Sequence, residues 1–156
     1  MKKYLNIVNK VHKSPYKLTI VSSGGGTNAI SALLEVPGAS NTILESHIPY
    51  SKESMNSFLN KKPDHYCSLD TCLNMAANAF KKSKQIDTTS KTKHLLGISI
   101  TANLATTYEK RGDHKFFIVV QAFDYTKYLE CYLDKGNRTR EEEEELITAC
   151  VISLLA

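Results

Sequence analysis

The sequence predicts an α/β fold with a three-layer α/β/α architecture, in which helices cover both faces of a mixed β-sheet. Short runs rich in β-branched residues alternate with segments whose apolar residues recur at helical spacing. Later in the chain, two strand-like runs follow each other closely, as in an antiparallel hairpin, before a last helical segment. Strands joined by helices are typical of parallel pairing, so an added hairpin makes the sheet mixed. We predict one domain over residues 1–156, long enough to bury a core without disulfides or metal.

The first half of the chain alternates strand and helix. Residues 18–21 form a short β-rich run, and residues 27–35 repeat apolar positions at helical spacing. The Pro-Gly pair that follows ends this helix, because proline excludes the helical conformation of the residue before it. Residues 43–50 are predicted as a strand or an extended segment. Two helices follow, one capped by Ser51 and a longer one with Ser68 as its N-cap.

The second half is predicted to contain the hairpin and the last helix. Residues 81–94 carry one large apolar residue among charges and hydroxyls, so we expect an exposed connection there. A buried strand follows at 95–101, then a long loop to residue 115 and a hairpin that turns near Asp124. The last helix starts near Thr139, with five glutamates crowding its first turn. Because the helix dipole favours negative charge at this end, we interpret the glutamates as a solvated helix start.

Charge and composition narrow the function without naming it. Twenty lysines and arginines against sixteen aspartates and glutamates give a net charge of +4. This excess suits solubility or a phosphate-bearing small molecule as readily as nucleic acid. Since no platform of aromatic and basic residues accompanies it, nucleic-acid binding is a distant alternative. Lys, Asn and His interrupt the N-terminal segment, which therefore has neither a signal-peptide core nor a membrane span. We expect a cytoplasmic protein without a membrane partner.

The cysteines and histidines predict neither disulfides nor a metal site. The four cysteines are Cys67, Cys72, Cys131 and Cys150, and they form no C-x-x-C pair. In a reducing compartment they are expected to be buried thiols. Cys67, beside Ser68, has a second interpretation as a nucleophile at a pocket edge. No cluster of His, Cys and Asp has metal-ligand spacing, so we expect no metal.

A run of three glycines lies between the first strand and the first predicted helix. Glycine tolerates positive φ and lets a ligand approach backbone N–H groups, so this loop is a candidate cradle for a phosphate or another anion at a helix N-terminus. The alternative is a tight turn from strand to helix, with hydroxyl residues as caps. The loop matches neither G-x-x-x-x-G-K-[ST] nor G-x-G-x-x-G, so both interpretations stay open. Its residues are Ser22, Ser23, Gly24, Gly25, Gly26 and Thr27.

Three other features are functional candidates with a structural alternative. Ser40, after Pro-Gly-Ala, is either a turn residue or a nucleophile, and a nucleophilic serine needs a base or a lysine within hydrogen-bond reach. Arg138 precedes the acidic helix and either binds a phosphate or carboxylate bidentately or pairs with the neighbouring glutamates. Lys110, Arg111 and His114 form a basic loop that faces either a ligand phosphate or water.

The motifs, taken in order, resemble the C-terminal domain of CinA, competence/damage-inducible protein A, a family whose members include nicotinamide-mononucleotide amidohydrolases. The likeness runs over about residues 18–155. The family motifs ESCTGG, PGSS, TYSN, GAVSE, GIAVTGIAGP and GDR fall in this order on residues 22–27, 37–40, 49–52, 65–69, 97–106 and 136–138. The chain is also similar to a divergent subgroup marked by SGGGT, VPGAS, PYS, KRG and REEEE.

The resemblance implies an amide hydrolysis, in which nicotinamide mononucleotide and water give nicotinic acid mononucleotide and ammonia. It implies Ser40 as the nucleophile, Tyr50 as its proton-transfer or orienting partner, and an assisting Arg138. It implies no metal and no organic cofactor and, by analogy, a homo-oligomer. Two loops are implied to hold the nucleotide, through Ser23, Gly24, Gly25, Gly26, Thr27, Thr101 and Ala102.

One departure from the family opens a second hypothesis. The family lysine that supports the serine is Met55 here, and a methionine side chain cannot remove a proton. Lys52, three residues earlier on the same predicted helix, is a candidate base. In the alternative, Lys52 is a solvated residue of the first turn and Met55 is a core contact. The second hypothesis is a nucleotide- or small-ligand-binding domain of the same fold that has lost the chemistry.

Overall fold

The computed structural model describes residues 2–105, 114–134 and 136–156. Within these residues the helices α1 to α5 comprise Leu5–Lys13, Thr27–Glu35, Lys52–Leu59, Leu69–Ile86 and Arg140–Leu155. The strands β1 to β5 comprise Lys17–Ser23, Ile43–His47, Leu95–Asn103, His114–Gln121 and Thr126–Leu133. Short 3-10 turns occupy Lys2–Tyr4, Ala39–Asn41 and Thr92–His94.

These strands form one mixed sheet in the order β2-β1-β3-β4-β5. Strand β1 pairs in parallel with both β2 and β3, whereas β4 runs antiparallel to β3, and β5 antiparallel to β4. The predicted α/β class, mixed sheet and hairpin are therefore confirmed. Because β1, β2 and β3 are parallel, their C-terminal ends share one edge of the sheet, which we call the carboxyl edge. Their N-terminal ends share the opposite edge, the amino edge.

Helices cover both faces of the sheet, as the sequence predicts. On one face α4 packs against β1, β3 and β4, and the buried side chains there include Met75 and Phe117. On the other face α1, α2 and α5 enclose a larger core, which includes Leu33 and Ile147. Removal of these apolar side chains from water holds the three layers together. None of the described helices combines the length and the apolar character needed to cross a membrane.

Side-chain caps mark the start of three helices. Ser51 Oγ accepts a hydrogen bond from Ser54 N at 3.1 Å, and Ser68 caps α4 in the same way. Both predicted N-caps are confirmed. At α5, Thr139 and Glu142 form a capping box in which each side chain accepts from the backbone N–H of the other, at 3.2 Å and 2.9 Å. These hydrogen bonds lower the pKa of the Glu142 carboxyl.

The exposed connection predicted at residues 81–94 is wrong in its first part, where α4 continues. Ser83 shows why the polar composition misled the prediction. Its buried hydroxyl donates to Leu96 O at 2.7 Å and lies 2.9 Å from the Thr19 hydroxyl oxygen, Oγ1. A hydroxyl on the buried side of a helix is tolerated because the sheet beneath it supplies acceptors. Strand β3 likewise extends to Asn103, into the predicted loop.

Candidate functional site

The C-terminal ends of β1 and β3 meet where the chain connections diverge to opposite sides of the sheet. From β1 the chain passes through α2 to β2, and it returns through α4 to β3 on the other side of β1. Ligands of open α/β sheets bind in the crevice at such a point. Ser23 is here the register partner of Thr101, so the predicted nucleotide-binding residues lie together. We call this set the crevice residues: Ser23, Gly24, Gly25, Gly26, Thr27, Thr101 and Ala102.

The backbone requires glycine in this loop. Gly24 and Gly26 have φ values of +80° and +95°, and this region costs other residues about 1–2 kcal/mol. A Cβ on Gly24 would overlap the carbonyl oxygen of Ala102, and one on Gly25 would lie 2.7 Å from the Leu104 side chain. The glycines therefore let the loop turn into α2 directly against the end of β3. A tight turn is present, whatever the loop binds.

A carboxylate of the protein already faces the amide donors of this loop. Glu144, in the second turn of α5, accepts hydrogen bonds from Gly26 N at 2.5 Å and from Asn28 N at 3.5 Å. Arg140, at the start of α5, donates from Nη2 to Gly24 O at 2.9 Å. Because a helix N-terminus favours negative charge, Glu144 takes the position that an anionic ligand group would occupy. The sequence analysis includes both residues in the REEEE motif but assigns them no site role, since they belong to a helix distant in the chain.

We expect Glu144→Ala to lower the melting temperature by about 2–8 °C, because it removes a carboxylate that caps α2, worth about 1–2 kcal/mol. Inorganic phosphate should then raise the melting temperature more than in the wild type, since the freed Gly26 N–H can donate a hydrogen bond to the added anion. Thermal denaturation with and without phosphate measures both effects, and Glu141→Ala, at an exposed position of the same helix, is the matched control. An equal phosphate response in variant and wild type would contradict an anion site at this loop.

Lys52, Tyr66 and Thr101 form a linked group at the carboxyl edge. Thr101 Oγ1 donates to Tyr66 O at 3.0 Å, and the Tyr66 hydroxyl donates to Asn56 Oδ1 at 2.7 Å. The Lys52 ammonium lies 5.7 Å from the centroid of the Tyr66 ring, a distance typical of a cation–π interaction. Lys52 is exposed, so its amine is accessible near the crevice. Met55, on α3, is 1% exposed and packs in the core against α4. It is therefore a core contact, as the structural alternative for this residue states.

Ser40 lies at the amino edge, away from the crevice. Its 3-10 turn leads into β2 beside the start of β1, where Leu18 N donates to Thr42 O at 2.8 Å and Lys17 Nζ donates to Asn41 O at 3.0 Å. The seven residues of β1, at about 3.3 Å each, separate the two edges by roughly 20 Å. Ser40 is exposed, and its hydroxyl makes no hydrogen bond within the described residues.

The histidine that packs on the turn of Ser40 is bonded through both ring nitrogens. A Cβ on Gly38 would lie 3.3 Å from the Cβ of His12. His12 Nδ1 lies 2.8 Å from Thr42 Oγ1, and Nε2 lies 2.9 Å from Leu33 O. A base needs a free nitrogen to take the proton of a serine hydroxyl. Within one copy of the described chain, no lysine or histidine nitrogen is hydrogen-bonded to Ser40.

The other two predicted catalytic residues are also exposed. Tyr50 follows β2 at the carboxyl edge and is 72% exposed. Strand β2 therefore separates Tyr50 from Ser40, which precedes the same strand. Arg138 lines a groove with Tyr4 and the exposed side of α5. It is Arg140 that contacts the glycine loop.

A buried carboxylate stands at the start of the connection from β3 to β4. Glu143 is fully buried; its Oε1 accepts a hydrogen bond from Ala105 N at 2.6 Å, and its Oε2 lies 3.2 Å from His114 Nδ1. The interpretation of the whole glutamate run as solvated is therefore wrong, because Glu143 and Glu144 satisfy donors of two loops. His114 is buried against Glu143 at the start of β4. The remaining residues of the predicted basic loop, 110–111, lie outside the described residues.

The cysteines are free thiols, and one of them is fully buried. Cys72 Sγ lies 3.1 Å from Ser99 Oγ, and burial raises the Cys72 pKa to about 12. Such a thiol carries almost no thiolate at neutral pH, so it is not a nucleophile. The other three are half-buried: Cys67, Cys131 and Cys150. In the part of the chain that the structure describes, no cluster of His, Cys, Asp and Glu is suited to a metal ion.

Comparison with known proteins bears on the fold. No family sequence model and no curated protein matches the chain. A CinA-superfamily structure from Klebsiella pneumoniae matches with a TM-score of 0.77 at 12% identity, over 98% of this chain and 93% of that one. A CinA-superfamily structure from Enterobacter cloacae matches with a TM-score of 0.72 at 14% identity, over 98% of this chain and 92% of that one. A competence/damage-inducible protein from Agrobacterium tumefaciens matches with a TM-score of 0.71 at 16% identity, over 99% of this chain and 90% of that one. The chain therefore has the fold of the CinA superfamily, which the resemblance of its motifs predicts.

Proposed function

We propose that the chain is a CinA-like amidohydrolase, which hydrolyses the carboxamide of nicotinamide mononucleotide or a related pyridine nucleotide to the acid and ammonia. One observation carries the proposal: on a CinA-type fold, the serine at the implied nucleophile position is exposed and has no hydrogen bond to a described residue. Serines with a structural role in this chain are bonded, as Ser51 and Ser68 are at helix N-caps. Ser40 is therefore available for chemistry.

The proposed reaction has two steps. The Ser40 oxygen attacks the carboxamide carbon while its proton passes to a base. Because Lys52 of the same copy lies at the opposite edge of the sheet, we propose the Lys52 amine of a second copy of the chain as this base, with Tyr50 as an orienting or proton-transfer group. The C–N bond then breaks, and the proton goes to the leaving nitrogen as ammonia departs. Water hydrolyses the resulting ester and restores the serine. Arg138 and the amides of the crevice residues other than Gly26, whose amide Glu144 occupies, would hold the anionic groups of the nucleotide.

Purified protein incubated with nicotinamide mononucleotide should release ammonia and nicotinic acid mononucleotide in equal amounts. Ser40→Ala should lower turnover by a factor on the order of 10³ or more, because the nucleophile is lost. Lys52→Ala tests the base, and Ser153→Ala, at an exposed serine of α5, is the matched control. Turnover that survives Ser40→Ala would show that Ser40 is not the nucleophile.

A second function, a ligand-binding domain without chemistry, is favoured by two observations. Met55, at the position of the family lysine, is buried in the core. Within one described copy of the chain, no base contacts the Ser40 hydroxyl. In that case nicotinamide mononucleotide should raise the melting temperature as a bound ligand does, and it should not be consumed. Thermal denaturation beside the product assay separates the two functions.

A further inference from the structure

A small pocket opens at the amino edge of the sheet, on the face that α1 and α5 cover. The register partners Leu18 and Leu96, near the starts of β1 and β3, line it together with Val120 of β4 and Leu154 of α5. The three strand residues are buried in the core, and Leu154 is half-buried. The sheet therefore gives this pocket, which we call the amino-edge pocket, an apolar floor.

The size of the amino-edge pocket limits what it can hold. Its volume is about 190 Å³. Sites for drug-sized ligands occupy about 300–1,000 Å³, whereas an apolar cavity of about 150 Å³ binds one benzene molecule. None of the described residues that line the pocket belongs to the crevice residues or to the turn of Ser40. The pocket therefore has room for one ring and lies apart from the residues proposed for the nucleotide.

Three polar groups surround this floor without a partner. Lys127 is the register partner of Val120, so its side chain leaves β5 on the same face of the sheet. Its ammonium forms no ion pair within the described residues and lies 5.7 Å from the centroid of the Tyr125 ring. Tyr16 and Tyr125 also line the pocket, and neither phenol hydroxyl is hydrogen-bonded to a described residue. Tyrosine hydroxyls in partly buried positions usually have a partner.

These three groups can all donate a hydrogen bond at neutral pH. A lysine ammonium carries three N–H donors and no acceptor. Burial and, after it, the nearby Tyr16 phenol raise the pKa of Tyr125, so the Tyr125 hydroxyl keeps its proton. Ser14 also lines the pocket, but its hydroxyl already donates to Val11 O at 2.6 Å. The unused donors therefore require an acceptor, and the ammonium favours a negatively charged one.

A carboxylate attached to an aromatic ring meets both requirements. Its two oxygens accept several hydrogen bonds, and one ring fits the apolar floor. No aspartate or glutamate is among the described residues that line the pocket, so no acidic side chain there takes this place. We propose that the amino-edge pocket binds a small aromatic carboxylate, with the ring against Leu18 and Leu96 and the carboxylate at Lys127, Tyr16 and Tyr125. This inference is independent of the proposed hydrolysis.

Benzoate is the probe that tests this site. Isothermal titration calorimetry of the purified wild type should give saturable binding with a dissociation constant of about 1 mM or tighter, an affinity that a ligand of this size can reach. Lys127→Met keeps an unbranched side chain and removes the charge, so it should raise the dissociation constant about tenfold or more. Tyr125→Phe removes only the unpaired hydroxyl and should raise the constant several-fold.

Lys84→Met is the matched control for Lys127→Met. Lys84 is also exposed, and its Nζ lies 5.0 Å from the centroid of an aromatic ring, that of Phe80 on α4. This variant should bind benzoate as the wild type does. The side chains of Lys84, Tyr125 and Lys127 are all exposed, so the three variants should fold, and equal melting temperatures without ligand check this. Equal affinities of Lys127→Met and Lys84→Met for benzoate would overturn the proposal.

Benzamide separates recognition of a carboxylate from the filling of an apolar space. It has the same ring without the charge, and it should bind at least about tenfold more weakly than benzoate. The comparison is decisive because the C-terminal end of α5, which favours positive charge, also borders the pocket. Equal binding of benzamide and benzoate would overturn the carboxylate, and no binding of benzoate at about 10 mM would overturn the site itself.

Discussion

We expect Gly97→Ala to lower the free energy of unfolding by roughly 3 kcal/mol or more. A Cβ on Gly97, in β3, would overlap Phe80 N and Ala76 O, which belong to the backbone of α4. Backbone atoms cannot rotate aside as a flexible side chain can, so α4 must move away from the sheet and lose packing along its buried face. Urea denaturation measures the effect through its midpoint and slope.

Gly136→Ala is the matched control for this variant. Gly136 has a φ of +83°, and a Cβ there would meet no described atom within 4 Å. Gly136→Ala should therefore lower the free energy of unfolding only by the cost of backbone strain, about 1–2 kcal/mol. A Gly97→Ala cost no greater than that of Gly136→Ala would contradict the close approach of α4 to β3.

Glu143→Ala should cost about 3–5 kcal/mol of folding free energy, because removing a buried carboxylate leaves the buried groups that it contacts without their hydrogen-bond partner. The groups left without their acceptor are the Ala105 amide and the buried His114 side chain. Glu143→Gln retains an oxygen for the amide and should cost less than the alanine variant. Chemical denaturation of both variants measures the difference.

The control for Glu143 is the exposed Glu141, which lies in the same helix and shares the same charge. Glu141→Ala should change the free energy of unfolding by less than about 0.5 kcal/mol, as surface substitutions do. Similar small effects at both positions would contradict a structural role for the buried carboxylate. A large effect at Glu143 alone would show that α5 anchors the borders of the connection between β3 and β4.

Sequence patterns predicted most accurately the helices whose ends are marked by capping or helix-breaking residues. The predicted helix at 27–35 coincides with α2, because glycine precedes it and Pro-Gly follows it. Ser51 and Ser68 likewise mark the starts of α3 and α4 through hydrogen bonds to backbone amides within the next turn. The prediction failed in the first part of 81–94, where the partners of Ser83 belong to two strands outside that segment.

The candidate residues themselves came from motif order, but their grouping did not follow from it. The crevice residues meet because β1 and β3 are neighbours, although more than seventy positions separate Ser23 from Thr101. Arg140 reaches Gly24 across 116 positions. Ser40 and Tyr50, only ten positions apart, lie at opposite edges because a strand runs between them.

The linear pattern was thus sufficient for the α/β class, the mixed sheet and the glycine loop, because periodicity and turn residues act over a few neighbouring positions. Strand order and helix packing settled the rest. They place Glu144 at the amides of the glycine loop, bury Glu143, and put Ser40 on the edge of the sheet opposite Lys52. Contacts of this kind depend on how whole elements pack, and no short-range pattern encodes that packing.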